Sequence, residues 1–176
     1  MGIGNTTPSS AITAALTGES PENVTGRGTG IDEDTLRKKV DVVRKGLELN
    51  DPNPDDPVDV LSKIGGYEIG AIAGAYLAGA ANRVPLLVDG FITTAGALIA
   101  HGLEPKAADY MIASHSSVEG GHDIALSSLG LEPLLDLDLR LGEGTGAALA
   151  MDLIDASIAI LNDMSTFEEA GITPGD

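Results

Sequence analysis

Three short apolar runs, residues 84–88, 110–113 and 133–137, constrain the fold of this chain more than any other feature. Each is too short for a stable helix. Each is followed by a stretch with helical spacing, at residues 93–100, 118–129 and 147–164. Apolar runs without alternation suit strands covered on both faces, and strands that alternate with helices pair in parallel. The order predicts an α/β domain with a mainly parallel sheet and helices packed on its faces.

The upstream half reads as helical. Thr7 as cap, Pro8 in the first turn and Gly18 as stop frame a helix over residues 9–16. Residues 20–30 read as a loop. Residues 32–49 form an amphipathic helix with Leu36, Val40, Val43 and Leu47 on one face. A proline-rich break precedes a short helix at 58–64. Residues 67–81 follow as a helix whose Gly70, Ala71, Gly74, Ala75, Ala78 and Gly79 would let another backbone come close. Residues 1–176 read as a single domain.

Composition narrows the core and the partners. With no Trp, two Phe and three Tyr against 23 Gly, the interior must be built from Ala, Leu, Ile and Val in close backbone contact. Without Cys there is no disulfide and no thiolate metal site. A net charge of −17 argues against nucleic acid and anionic membranes as partners. No apolar run is expected to reach the roughly 18–20 residues that cross a bilayer. Met1 to Asn5 lack a signal peptide's basic start, so the chain reads as cytoplasmic. Half of the ten Lys and Arg residues lie between Arg37 and Lys45.

Ligands of open parallel sheets bind beyond the carboxyl ends of the strands. Three features fall there: Asp89-Gly90-Phe91, Ser114-His115-Ser116-Ser117 and Leu141-Gly142-Glu143-Gly144-Thr145-Gly146. Two further glycine-rich loops, Gly2-Ile3-Gly4-Asn5-Thr6-Thr7 and Gly26-Arg27-Gly28-Thr29-Gly30, open helices where backbone amides could meet a phosphate. Taken singly, a glycine-rich loop is more often a tight turn than a phosphate cradle. The spacing Gly142-x-Gly144-x-Gly146 is not that of the dinucleotide fingerprint, which argues against a nicotinamide-dependent oxidoreductase. His115 and His122 have no carboxylate set beside them, and no metal is expected. Asp51, Asn53 and Asp55 imitate the start of a calcium loop, but Asp56 and Ser62 stand where glycine and glutamate are required. Glu143 between glycines can approach a ligand closely as a base; a surface glutamate in a turn fits the same spacing equally well.

These stretches occur in one order, together with Val88-Asp89-Gly90-Phe91-Ile92-Thr93 and Leu131-Glu132-Pro133-Leu134-Leu135-Asp136. The ordered set closely resembles the nicotinate-nucleotide–dimethylbenzimidazole phosphoribosyltransferase family along essentially the whole chain. The resemblance implies a Rossmann-like three-layer domain and transfer of phosphoribose from nicotinate mononucleotide to 5,6-dimethylbenzimidazole. It implies a homodimer that needs no metal or organic cofactor. By position, Glu143 would be the general base, and Gly2, Gly28, Lys39, Gly90 and Ser117 would surround the ribose phosphate or nicotinate. Lys39 would be the charge partner of the phosphate. The family extends well upstream and reads Gly-Glu just before the counterpart of Met1. The chain is therefore expected to be the C-terminal part of a longer enzyme, without its N-terminal small-domain segment. The alternative for the chain as it stands is a non-catalytic nucleotide- or phosphate-binding domain.

Overall fold

The computed structural model describes residues 4–28 and 30–172. It is a mixed α/β fold in which short parallel strands are flanked by helices. Strand β1 (Leu86–Val88) pairs in parallel with β2 (Met111–Ala113), and β3 (His115–Ser117) pairs in parallel with β4 (Leu135–Leu139). Ser114 joins the two pairs. Its N–H donates to the Val88 carbonyl at 2.9 Å, and its own carbonyl accepts from Leu135 at 3.1 Å. The extended run from Met111 to Ser117 thus changes partner at Ser114. Between His115 and Ser117 the register slips, and Asp138 opposite sits at φ +52°, a left-handed residue that absorbs the bulge.

The strands are narrower and shifted relative to the apolar runs. Tyr110 ends a 3-10 turn, Pro105–Tyr110, and Val84 is exposed and outside β1. The third strand starts two residues later than its apolar run, because the residues that meet His115 and Ser117 are Leu135 and Leu139.

The helices are α1 (Thr6–Thr17), α2 (Pro21–Val24), α3 (Glu33–Asn50), α4 (Pro57–Ile64), α5 (Tyr67–Ala81), α6 (Phe91–Leu103), α7 (Gly120–Leu129) and α8 (Thr145–Asp163). Thr7 does not cap α1: the helix begins two residues earlier than that cap implies, after Asn5. Gly18 does end it, at φ +74°. Ser9, Ser10 and Thr13 of α1 are buried, and each hydroxyl donates to the carbonyl four residues back at 2.9 Å, which satisfies it in the core. The loop expected at 20–30 contains α2, a single turn with Pro21 at its start.

The core centres on α6, where every residue from Thr94 to Ala100 is buried. Around it pack Ile12, Val60, Ile69, Tyr76 and Leu129. Close approach comes in part from where the sequence suggests: an added Cβ would stand 2.4 Å from Leu86 at Gly79 and 3.1 Å from Leu61 at Gly70. Ala71, Gly74, Ala75 and Ala78 of α5 face outward, and α5 packs through Ile69, Ile72, Ala73 and Tyr76. Against α6 the space is made by Gly96 of that helix, where an added Cβ would stand 2.6 Å from Ile72. Spacing of small residues marks where a backbone could approach, not which face a neighbour takes.

Helix α8 touches β1, β3 and β4 near its start, but only Gly146 and Ala150 are buried. Leu149, Leu153, Ile158 and Leu161 are exposed. By length and composition α8 is long and apolar enough to cross a membrane, at mean hydropathy 1.3, contrary to the sequence expectation. Asp152 and Asp155 interrupt its apolar residues without bringing the average below that level.

Candidate active site

The carboxyl ends of the strands open onto a cleft of about 850 Å³. Four helices start at its wall, with Asn5, Gly90, Glu119 and Gly144 preceding α1, α6, α7 and α8. Gly90 and Gly144 have no side chain to cap with, and those of Asn5 and Glu119 do not bond to their helices, whereas Asp32 and Asp56 cap α3 and α4. Helix N-termini that converge on one cavity favour an anion there. The charged lining is balanced: Arg27, Lys38, Lys39 and Arg140 face Glu68, Asp89, Glu119 and Glu143. In a chain of net charge −17, that balance lessens the repulsion a phosphate meets in the cleft.

One side of the cleft is built around Lys39, on the cleft face of α3. Its Nζ donates to Thr6 Oγ1 at 2.8 Å and to the Gly26 carbonyl at 2.9 Å. Burial pushes its pKa down, and the charge of Glu119 partly counters this. Gly28, at φ +57°, lies over the same cluster; an added Cβ would meet Thr6 Oγ1 at 3.2 Å. Ser117 belongs to the strand leading to Glu119, whose carboxylate lies against Gly26. Asn5 Nδ2 and Glu119 Oε2 are buried with no hydrogen-bond partner among the described residues. Buried polar atoms without partners at the edge of a cavity suit a polar ligand.

The other side is built around the loop before α8. Gly142, Glu143 and Gly144 are all left-handed, at φ +74°, +60° and +78°. For Glu143, which carries a Cβ, that conformation costs roughly 1–2 kcal/mol. Its carboxylate is exposed at the cleft mouth. Asp89, following β1, is 8% exposed and accepts from the N–H groups of Gly144 and Ala147. His115 is buried beside it, its Nδ1 at 2.9 Å from Ser114 Oγ and 3.9 Å from Asp89 Oδ1. Gly90 adjoins the His115 ring, which an added Cβ would meet at 3.9 Å. His122 lies beneath. Its Nε2 donates to the His115 carbonyl at 3.0 Å, which places its proton there, and burial lowers its pKa.

Gly28, Lys39, Gly90, Ser117 and Glu143, singled out in the sequence, therefore line one cleft. Gly2 lies outside the described residues. A phosphoribosyltransferase family model matches residues 1–172. A nicotinate-nucleotide–dimethylbenzimidazole phosphoribosyltransferase of Geobacter sp. (strain M21) is 61% identical over 98% of this chain and 50% of its own length. The chain belongs to the nicotinate-nucleotide–dimethylbenzimidazole phosphoribosyltransferase family. A second relative of that name, from Geotalea uraniireducens (strain Rf4), is 59% identical over 100% of this chain and 50% of its own length. Among solved structures, that of CobT from Thermus thermophilus matches with a TM-score of 0.93 and 52% identity, over 99% of this chain and 52% of that one. The chain spans about half the length of the relatives it matches.

In the sequence, Asn5, Thr6 and Asp89 stand out only as members of loops, and Glu119 does not stand out. Asp89 carried a usable signal, a carboxylate at the carboxyl end of a buried strand. Glu119 carried none, because its neighbour Gly26 is remote in sequence and only the fold brings them together.

Proposed function

We propose that the protein to which this chain belongs transfers phosphoribose from nicotinate mononucleotide to 5,6-dimethylbenzimidazole, giving α-ribazole 5′-phosphate and nicotinate, the assembly step for a cobalamin lower ligand. The observation that carries this reading is the convergence of Gly28, Lys39, Gly90, Ser117 and Glu143 on one cleft ringed by helix N-termini. Lys39 and the amides of the Gly28 loop hold the 5′-phosphate. Asn5 Nδ2 and Glu119 Oε2, without partners among the described residues, meet polar groups of the nucleotide.

Glu143 takes the ring N–H proton of the benzimidazole. The other ring nitrogen attacks the ribose C1′ and the bond to nicotinate breaks. Its electron pair returns to the pyridine nitrogen. Attack opposite the departing ring inverts the β linkage to α. Proton removal as the bond forms raises the nucleophilicity of the attacking nitrogen, and holding both rings in line removes much of the entropic barrier. No step calls for a metal or organic cofactor.

The active protein is a cytoplasmic homodimer that includes an upstream segment beyond this chain. The coverage of only half of each relative supports the further segment, and the exposed apolar side of α8 supports the dimer. The exposure of Glu143 favours a second reading for residues 1–176 by themselves: nucleotide binding without turnover. The test is to incubate both substrates with this chain and with an upstream-extended protein, and to assign the anomer of the product by NMR. The extended protein is expected to give the α-riboside. A β-riboside, or no riboside, contradicts the proposal.

A further inference from the structure

We propose that Asp89 is a positioning residue for Glu143, acting through the backbone of residues 142–144; this rests on the assignment of Glu143 as the base. Three consecutive left-handed residues do not hold themselves, and Glu143 is the one among them without glycine's freedom. The turn is braced at both ends. Before Glu143, the Gly142 carbonyl accepts from Thr145 N at 3.1 Å and from Thr145 Oγ1 at 2.7 Å. After it, Gly144 N donates to Asp89 Oδ2 at 3.2 Å, and Ala147 N donates to Asp89 Oδ1 at 2.9 Å. Asp89 thus commits both oxygens to the first turn of α8 from a buried position on another element.

A carboxylate so placed also compensates the positive end of α8 that the local residue, Gly144, leaves uncapped. Capping a helix from the end of a neighbouring strand ties the direction of Glu143 to the sheet. The same strand end carries Gly90 into the cleft, so a single rigid corner sets the base relative to the bound nucleotide. His115 supports the corner from the side: Gly146 lies so close to its ring that an added Cβ would stand 1.9 Å from Nδ1. Loss of the Asp89 charge would leave the peptide chain intact and the Glu143 carboxylate present, but free to swing.

The test is Asp89→Asn in the upstream-extended enzyme. It preserves size and presents an NH₂ group to one of the two N–H donors. The expected result is a fall in kcat of roughly tenfold to a hundredfold, the scale of a misplaced catalytic group, with KM for nicotinate mononucleotide little changed. Placed on top of Glu143→Gln, the same substitution is expected to add almost no further loss. A cap with only a structural role would lower both backgrounds by the same factor, and that result would overturn the proposal. So would a wild-type kcat in Asp89→Asn. Amide hydrogen exchange on the unmodified protein gives a readout independent of catalysis and of the variant's folding. Gly144 and Ala147 are expected to be protected, and exchange of both at unstructured rates would refute the clamp. A Glu143→Gln enzyme at full rate would remove the base assignment and this proposal together, whereas the other negative results remove the positioning role alone.

Discussion

Lys39 is held in place by the Thr6 hydroxyl and the Gly26 carbonyl. A partly desolvated ammonium gains more from a phosphate than an exposed one, since less water competes for it. A charge-assisted bond of this kind contributes about 1.5–3 kcal/mol. Lys39→Met is therefore expected to raise KM for nicotinate mononucleotide by roughly tenfold to a hundredfold, with kcat much less affected; steady-state kinetics check the split. His122 makes a prediction about pH. Burial holds its pKa below 6.5, so an unfolded chain takes up a proton that the folded one refuses. Its contribution to stability is complete above pH 6.5 and is lost as the pH falls through the depressed folded value. Urea midpoints should be lower at about pH 5.5 than at about pH 7.5, and His122→Gln should flatten that slope. Among single residues, Glu143 was visible in the sequence because glycines flank it. The role of Asp89 was not, because its partners Gly144 and Ala147 lie in a distant stretch of chain.

At the scale of elements, the first turn of α8 packs on β3 through a contact that admits no side chain. An added Cβ at Gly146 would clash with the His115 ring, 1.9 Å from Nδ1. The ring is fixed by Ser114, so it cannot rotate away freely. Gly146→Ala should destabilise the fold by about 1–3 kcal/mol, as overpacking does, and lower the melting temperature; calorimetry measures it. Helices were the most legible elements. The apolar face of α3 and the small-residue composition of α5 located both, and α5 spans the predicted residues. Spacing gave Gly70 and Gly79, which do meet neighbours closely, but not the contact with α6, where the space is supplied by Gly96 on the other helix. The strand β3 was also missed. His115, Ser116 and Ser117 have no apolar pattern, and they become a strand only because β4 is there to pair with.

At the scale of the whole molecule, α8 leaves Leu149, Leu153, Ile158 and Leu161 exposed on a helix otherwise anchored by its first turns. Patches of this kind mark surfaces that another chain or segment covers. The upstream-extended protein is expected to run as a dimer in light scattering, and Leu153→Asp with Leu161→Asp to weaken that association without loss of secondary structure. A monomer at every concentration would contradict the homodimer. The central claim concerns the cleft itself, that phosphoribose moves there with Glu143 as proton acceptor. Its most direct test is the initial rate of α-ribazole 5′-phosphate formation by the upstream-extended enzyme and by its Glu143→Gln variant at saturating substrates. The predicted result is a rate lower by roughly a hundredfold to ten-thousandfold in the variant, the range for loss of a general base. Equal rates in the two enzymes would contradict it.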